Sequence, residues 1–482
     1  MSNGSEPSLR RRRDVRSLLA EGPSGRAVLD DYARAVASMR AISTSNGPPF
    51  DPRSWTFQAA MHGLDGHAFA PLDPSRFSSC RHMSWFFLPW HRIYLYFFER
   101  IVQTHLDDPT WSLPYWDWSA VGDPIAQQIP EPFRVPADPR TNPLFTTRRD
   151  PQLNDAAQPT AMELELIDAR PSLRLPAFSV PPGSTLPSFG GGAMRGTAPV
   201  SNARGSLEDA PHGLVHVFVG GDRGWMGDFS TAALDPLFWL HHANVDRLWD
   251  VWIGHWGAGA LPADPIWLET EFRFFDGHGT EAALRIRDVL DSASLGYVYE
   301  SIDPPADTFA DAPPTISTGV RQMTVAEGVE LVPELLGAES GISFATRAEV
   351  PIALDATARA AGFASAARAE DARWYLRVED IEGRAPAARA YAVYVNLPPG
   401  AAVADHPGLR AGVVASFGIR EATAADNGLR GLSDAFDITE VVAQQADWDQ
   451  ATVTVTVVPL DAQGNEVGGG DVRAGRISVY VG

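Results

Sequence analysis

The chain has 482 residues, 44% of them hydrophobic, enough for a large core divided over two or three domains. Its formal charge is -21 and its only basic run is Arg10 to Arg13, so a nucleic-acid backbone or an anionic membrane surface would be repelled. It holds no lysine, which removes Schiff-base chemistry and a Walker-type phosphate loop, and a single cysteine, Cys80, which removes any internal disulfide.

Residues 1–28 read as a flexible, solvated N-terminal arm. MSNGSEPSLRRRRDVRSLLA joins a basic cluster to an apolar run too short for a secretory signal, and no stretch is long and apolar enough to span a membrane. The expected location is therefore cytoplasmic. Over residues 29–300, helical-looking segments (VLDDYARAVASMRAI, PWHRIYLYFFERIVQTHL, PLFWLHHANVDRLWDVW) alternate with long Pro- and Gly-rich connections such as 138–205. This predicts a mainly α domain, a helix bundle wrapped in loops. Residues 301–340, with IDPPADTFADAPPTISTGV, have the composition of a linker. From 341 to 482 the period changes to that of strands in RWYLRV, AYAVYVNL, VVASFGI, ATVTVTVVPL and RISVYVG, which predicts an all-β sandwich or barrel.

The twelve histidines fall mainly into two blocks. His62, His82 and His91 lie in the first, with His67 as the competitor to His62; His212, His216, His241 and His242 lie in the second. His212 and His216 are four apart, so on a helix both would leave one face. Asp235 reads as an N-cap and Pro236 as a first helical residue, which places His241 and His242 on a helix. Adjacent helical residues point about 100° apart, so only one of that pair can share a site with His212 and His216. In the first block Pro89 can open a helix bearing His91, with Trp85, Phe86, Phe87 and Trp90 shielding the site. His105, His255, His278 and His406 lack such neighbours.

Three imidazoles per site without carboxylate or thiolate point to copper and secondarily to zinc. A zinc protease would show H-E-x-x-H, whereas position 213 is glycine; a di-iron bundle would show Glu-x-x-His pairs, which neither block has. Two all-histidine sites in one bundle suit a redox pair.

The segments GSLEDAPHGLVHVFVGG, MGDFSTAALDPLFWLHHANVDRLW, WLETEFRFFDGHG, RDVLDSASLGYVY and YAVYVNLPPG resemble the type-3 copper proteins, and among them most closely the plant polyphenol oxidases. The resemblance runs from about Tyr32 to the end. It implies a four-helix core holding two coppers, the first bound by His62, His82 and His91 and the second by His212, His216 and His242, with His241 behind or beside the site. It implies an aromatic gate over the second copper at Phe229, a water-orienting carboxylate at Glu208, a substrate pocket at Gly213 and Val217, and a structural pair of tyrosines at Tyr297 and Tyr299. Efficient monophenol hydroxylases often have asparagine where Gly213 stands. Cys80 precedes His82 in the Cys-x-His arrangement of fungal tyrosinases and molluscan haemocyanins, which implies a thioether between the two.

The expected activity is oxidation of o-diphenols to o-quinones with dioxygen, with hydroxylation of monophenols as an added possibility. The partners are then a phenolic small molecule and dioxygen, with neither nucleic acid nor membrane. The C-terminal domain is expected to shield the substrate entrance and make the chain latent. A haemocyanin-like dioxygen carrier without turnover is the alternative, and a zinc hydrolase a third reading.

Overall fold

The computed structural model describes residues 9–45, 51–63, 77, 79–181, 184, 186–195, 198–199, 204–310, 333–357, 372–424, 431–445 and 451–482. The chain divides into two compact units: Met1–His82, Phe86–Leu173 and Val215–Thr308 form the first, and Met83–Trp85, Arg174–Leu214 and Phe309–Gly482 the second.

In the first unit, long helices surround an aromatic core. They are α1 (Pro23–Ser45), α2 (Trp55–His62), α3 (Phe87–Leu106), α4 (Leu214–Gly220, entering from the second unit) and α5 (Pro236–Trp256). Their starts follow from local chemistry. Ser54 caps α2 by accepting from Phe57 N at 3.3 Å, and Asp235 caps α5 by accepting from Leu237 N at 2.9 Å, with Pro236 at the first helical position where its missing N–H costs nothing. The Asp235 cap is itself held by Arg149, whose Nε and Nη2 donate to its two oxygens at 2.8 and 2.7 Å, both side chains buried. Trp239 of α5 stacks on Phe98 of α3, and Trp55 of α2 packs edge-on against both. The helices that carry the histidines are thereby tied together by large aromatic surfaces.

The expected flexible arm over residues 1–28 is corrected. Residues 1–8 lie outside the described residues, but Arg10–Arg12 pair in parallel with Tyr297–Tyr299, and helices follow at Val15–Ala20 and from Pro23. The reason is charge compensation in the core. Arg12 is fully buried, donates from Nε to Glu99 Oε2 at 2.9 Å and lies 3.7 Å above the Tyr297 ring. A basic cluster that looks solvated in sequence is here an inward strap.

Among the described residues, the two main sheets of the second unit are built from β1 (Glu334–Ser343), β2 (Ala348–Ala353), β3 (Trp374–Glu382), β4 (Ala390–Val395), β5 (Arg410–Ala415), β6 (Leu432–Asp437), β7 (Thr452–Leu460) and β8 (Arg473–Val481). They form two antiparallel sheets, ordered β5-β4-β7-β2 and β6-β3-β8-β1. Side chains from both sheets, among them Leu376, Val378, Ile477, Val393, Val414 and Val455, share one core, so the architecture is a sandwich. Of the expected 301–340 linker, residues 311–332 lie outside the described residues. Its end is corrected, because β1 begins at Glu334 and pairs with β8 from Glu334↔Val481 to Ser343↔Arg473.

The expected 29–300 domain is also corrected, since Arg174–Leu214 belong with the sandwich. A buried ion triad explains this. Arg204 donates to Asp434 Oδ1 and Oδ2 at 3.0 and 2.7 Å and pairs with Asp209 at 2.6 Å, while Asp209 Oδ1 accepts from Ala415 N at 3.0 Å. Opposite charges withdrawn from water must stay paired, and Arg204 and Asp434 lie 230 residues apart in the chain.

Candidate metal centre

The first histidine group is built by the end of α2, the loop after it and the start of α3. His62, Cys80, His82 and His91 each offer a ligand atom, and these atoms all lie within 4.8 Å of one another. His62 closes α2, and its Nδ1 donates to the carbonyl of Phe229 at 3.0 Å. Gly63 makes that reach possible: a Cβ there would stand 2.2 Å from the Phe229 oxygen and 2.7 Å from Ser230 Cα. His91, on the first turns of α3, donates from Nδ1 to Phe87 O at 2.8 Å. A carbonyl can only accept, so both rings carry their proton on Nδ1 and turn a bare Nε2 inward. His62 Nε2 faces His82 Nε2 at 3.5 Å, and Cys80 Sγ lies 3.3 Å from His91 Nε2.

The second group is His212, His216, His241 and His242, with ligand atoms again within 4.8 Å of one another. The regular helix expected through His212 and His216 holds only for the latter. Ala210 is extended (φ -127°, ψ 121°) and Pro211 follows, so His212 sits in a wide irregular turn before α4. The same ring orientation recurs nonetheless. His212 Nδ1 donates to Glu208 O at 2.8 Å, and His216 Nδ1 to Met226 O at 2.8 Å. His216 Nε2 faces His242 Nε2 at 3.2 Å, whereas the His241 ring lies edge-on to His216 at 4.8 Å and near Trp118. The two groups adjoin, with the rings of His91 and His242 stacked at 4.3 Å and 7° from parallel.

Burial disfavours the charged form of three of these rings. It pushes His62 down to about 3, helped by His82, and holds His91 and His241 well below the usual histidine range, again through desolvation first and neighbouring histidines second. Neutral imidazoles aimed Nε2-inward suit a borderline-soft transition-metal cation, and among the described residues neither group includes a carboxylate.

The other sequence candidates are distributed around the histidines. The Phe229 ring stacks on His82 of the first group, centroids 4.4 Å apart. Glu208 is buried, and its Oε1 accepts from Met83 N at 2.6 Å. Val217 is buried on α4. Gly213 faces the chain beyond β5: a Cβ at this position would stand 3.0 Å from Ala415 Cβ and 3.4 Å from Phe417 Cβ. The Phe417 ring lies edge-on to His212. His67 lies outside the described residues. Sequence reasoning missed the orienting carbonyls of Phe87, Phe229, Glu208 and Met226, since a backbone oxygen has no letter of its own. It also missed Phe417, which reads as part of the apolar run VVASFGI.

Residues 52–255 match the common central domain of tyrosinase, and residues 262–310 the polyphenol oxidase middle domain. The chain belongs to the tyrosinase and polyphenol oxidase family. Members of this family use a binuclear copper centre, and the two histidine groups fit its two sites. Among its relatives are tyrosinase HcTyr1 of a Hahella species, 29% identical over 93% of this chain and 96% of that protein, and a chloroplastic polyphenol oxidase of Malus domestica, 29% identical over 90% and 73%. The structure of latent apple tyrosinase superposes with a TM-score of 0.67 at 25% identity, covering 100% of this chain and 99% of that one. Residues 332–482 match a domain of unknown function (DUF7868).

Proposed function

We propose that this chain oxidises o-diphenols to o-quinones with dioxygen, two diphenols and one dioxygen giving two quinones and two waters. The observation that carries this reading is the stack of His91 on His242, which sets two groups of three or more histidines side by side. In this reading His62, His82 and His91 hold one copper and His212, His216 and His242 the other, and the pair supplies a two-electron couple between diphenol and dioxygen. His242 is the ligand of the adjacent pair because its Nε2 faces His216 Nε2, while His241 packs edge-on behind.

The protein's own contributions are orientation and dryness. Four backbone carbonyls hold Nδ1 protons and so fix four Nε2 lone pairs without charge. Phe229 supplies an aromatic wall against which a phenol ring can lie, and Gly213 and Val217 shape the pocket. Glu208, held by Met83 N, is the candidate base: a water on its carboxylate would take the phenol proton when a monophenol is the substrate. In this proposal Cys80 Sγ is bonded to a ring carbon of His82, the S–H and the ring C–H being lost as two protons and two electrons that pass to dioxygen.

The dioxygen-carrier alternative is not favoured, because the matching family and the named relatives are oxidases. Copper-loaded protein offered matched mono- and diphenols tests the proposal, with quinone and oxygen consumption followed together. Failure to form quinone from any diphenol, even after proteolysis, would overturn it. A zinc hydrolase would bind zinc in preference and leave dioxygen untouched.

A further inference from the structure

The two stacked histidines are followed, on their own helices, by a buried ion pair. Arg92 is the residue after His91 on α3, and Asp246 lies one turn beyond His242 on α5. Both are buried, and Arg92 Nε donates to Asp246 Oδ1. Both make further bonds. Arg92 Nη2 donates to Asp250 Oδ1 at 2.6 Å and to Asp246 O at 3.3 Å, and its Nη1 to the carbonyls of Val289 and Leu290, both at 3.2 Å. Asp246 Oδ2 accepts from Tyr297 OH at 2.7 Å, Tyr299 OH at 2.6 Å and Arg12 Nη1 at 3.4 Å. Arg92 also lies 4.0 Å above the Trp249 ring of α5.

We propose that Asp246 and Arg92 are positioning residues that set the separation of the two metal sites. A planar guanidinium bonded on three edges and a carboxylate bonded at both oxygens cannot rotate without leaving a buried charge unpaired, which is costly. The pair therefore works as a spacer of fixed length between α3 and α5. Because it starts one residue from His91 and one turn from His242, any change in its length is transmitted to the gap between their rings. Tyr297, Tyr299 and the Arg12 strap hold the carboxylate end of that spacer. The aromatic contacts of Phe98 with Trp239 would keep the helices packed without it, but at a distance that side-chain packing alone specifies less sharply.

This inference rests on the reading of two copper-binding histidine triads, and the test separates the two. Cu(II) ions close enough to share a bridge couple their spins and give no paramagnetic resonance signal, whereas ions moved apart give the signal of isolated Cu(II). The unaltered protein, loaded with copper and oxidised, is expected to bind two coppers per chain and to be nearly silent. Asp246→Asn, which keeps the shape and loses the charge, and Arg92→Lys, which keeps the charge and loses the fork, are expected to retain both coppers while most of the copper becomes visible. Tyr299→Phe, which removes one of several donors, is expected to show a smaller visible fraction.

Variants that keep two coppers and stay silent would overturn the spacer role. So would copper lost in proportion to a lowered melting temperature, which marks support of the fold alone. If Asp246→Asn does not fold, Arg92→Lys and Tyr299→Phe decide by the same criteria, and failure of all three to fold would also overturn the proposal. A full signal from the unaltered protein would instead defeat the copper-pair reading itself.

Discussion

The ring of Phe417 stands edge-on to the ring of His212, centroids 5.8 Å apart and planes at 78°. Phe417 belongs to the segment that leaves β5, and the neighbouring Ala415 N is bound by Asp209, three residues before His212. The same short turn thus carries a metal-binding candidate and the anchor for an aromatic side chain placed against it. Phe417→Ala should raise the rate of catechol oxidation about tenfold, equivalent to about 1.4 kcal/mol in the barrier. Steady-state quinone formation with the variant and the unaltered chain measures this, and equal rates would show that Phe417 does not obstruct substrate.

The two adjacent histidines should behave differently. His242→Ala should lose one of two bound coppers, because the Nε2 that faces His216 disappears. His241→Ala should keep both, since its ring packs edge-on to His216 and near Trp118. Elemental analysis of purified, copper-loaded variants provides the count. Equal losses in both would refute the assignment within the pair.

Cys80 stands 3.3 Å from His91 Nε2 in a group whose other members are histidines. If the thioether to His82 forms, the intact protein will weigh two hydrogens less than its sequence requires, and the denatured protein will not react with a thiol reagent. A thiol that titrates fully after copper loading would exclude the cross-link.

Asp235 is both the cap of α5 and the buried partner of Arg149. Asp235→Ala removes the cap and leaves a guanidinium in the core without its carboxylate, a loss of about 3–5 kcal/mol. The copper-free protein should melt lower by roughly 10 °C. A shift of a degree or two would mean that water reaches Arg149 and that the pair is less enclosed than its geometry indicates.

Glu208→Gln keeps an oxygen able to accept from Met83 N and removes the carboxylate charge. In the proposed mechanism it should depress monophenol hydroxylation by at least about tenfold while diphenol oxidation changes little. Matched substrate pairs resolve the two rates, and equal effects on both would remove Glu208 from proton transfer.

Much of the site was legible from residue order because its signals are local. Asp235 before Pro236 announces the start of α5, and that start fixes where His241 and His242 point. The two blocks, His62, His82 and His91 and then His212, His216, His241 and His242, named residues that the structure brings together, while only the family resemblance preferred His242 to His241. Strand period likewise exposed β3, β4, β7 and β8, where apolar residues alternate or run together. It passed over β1, β2 and β6, because ELLGAESGIS, AEVPIA and LSDAFD put glycine, proline or acidic residues into strands at the outer positions of their sheets.

What folding alone decided are relationships between residues far apart in the chain. Arg12 looks like part of a solvated arm until Glu99 and Asp246 are seen beside it. Arg204 and Asp434 are 230 residues apart, yet their buried pairing joins Arg174–Leu214 to the sandwich. The carbonyls of Phe229 and Met226 orient His62 and His216 from loops 167 and 10 residues away. Periodicity records which face of an element is apolar. It carries no record of which distant charge, ring or carbonyl will meet that face, since those pairings arise only when buried polar groups must find partners out of reach of water.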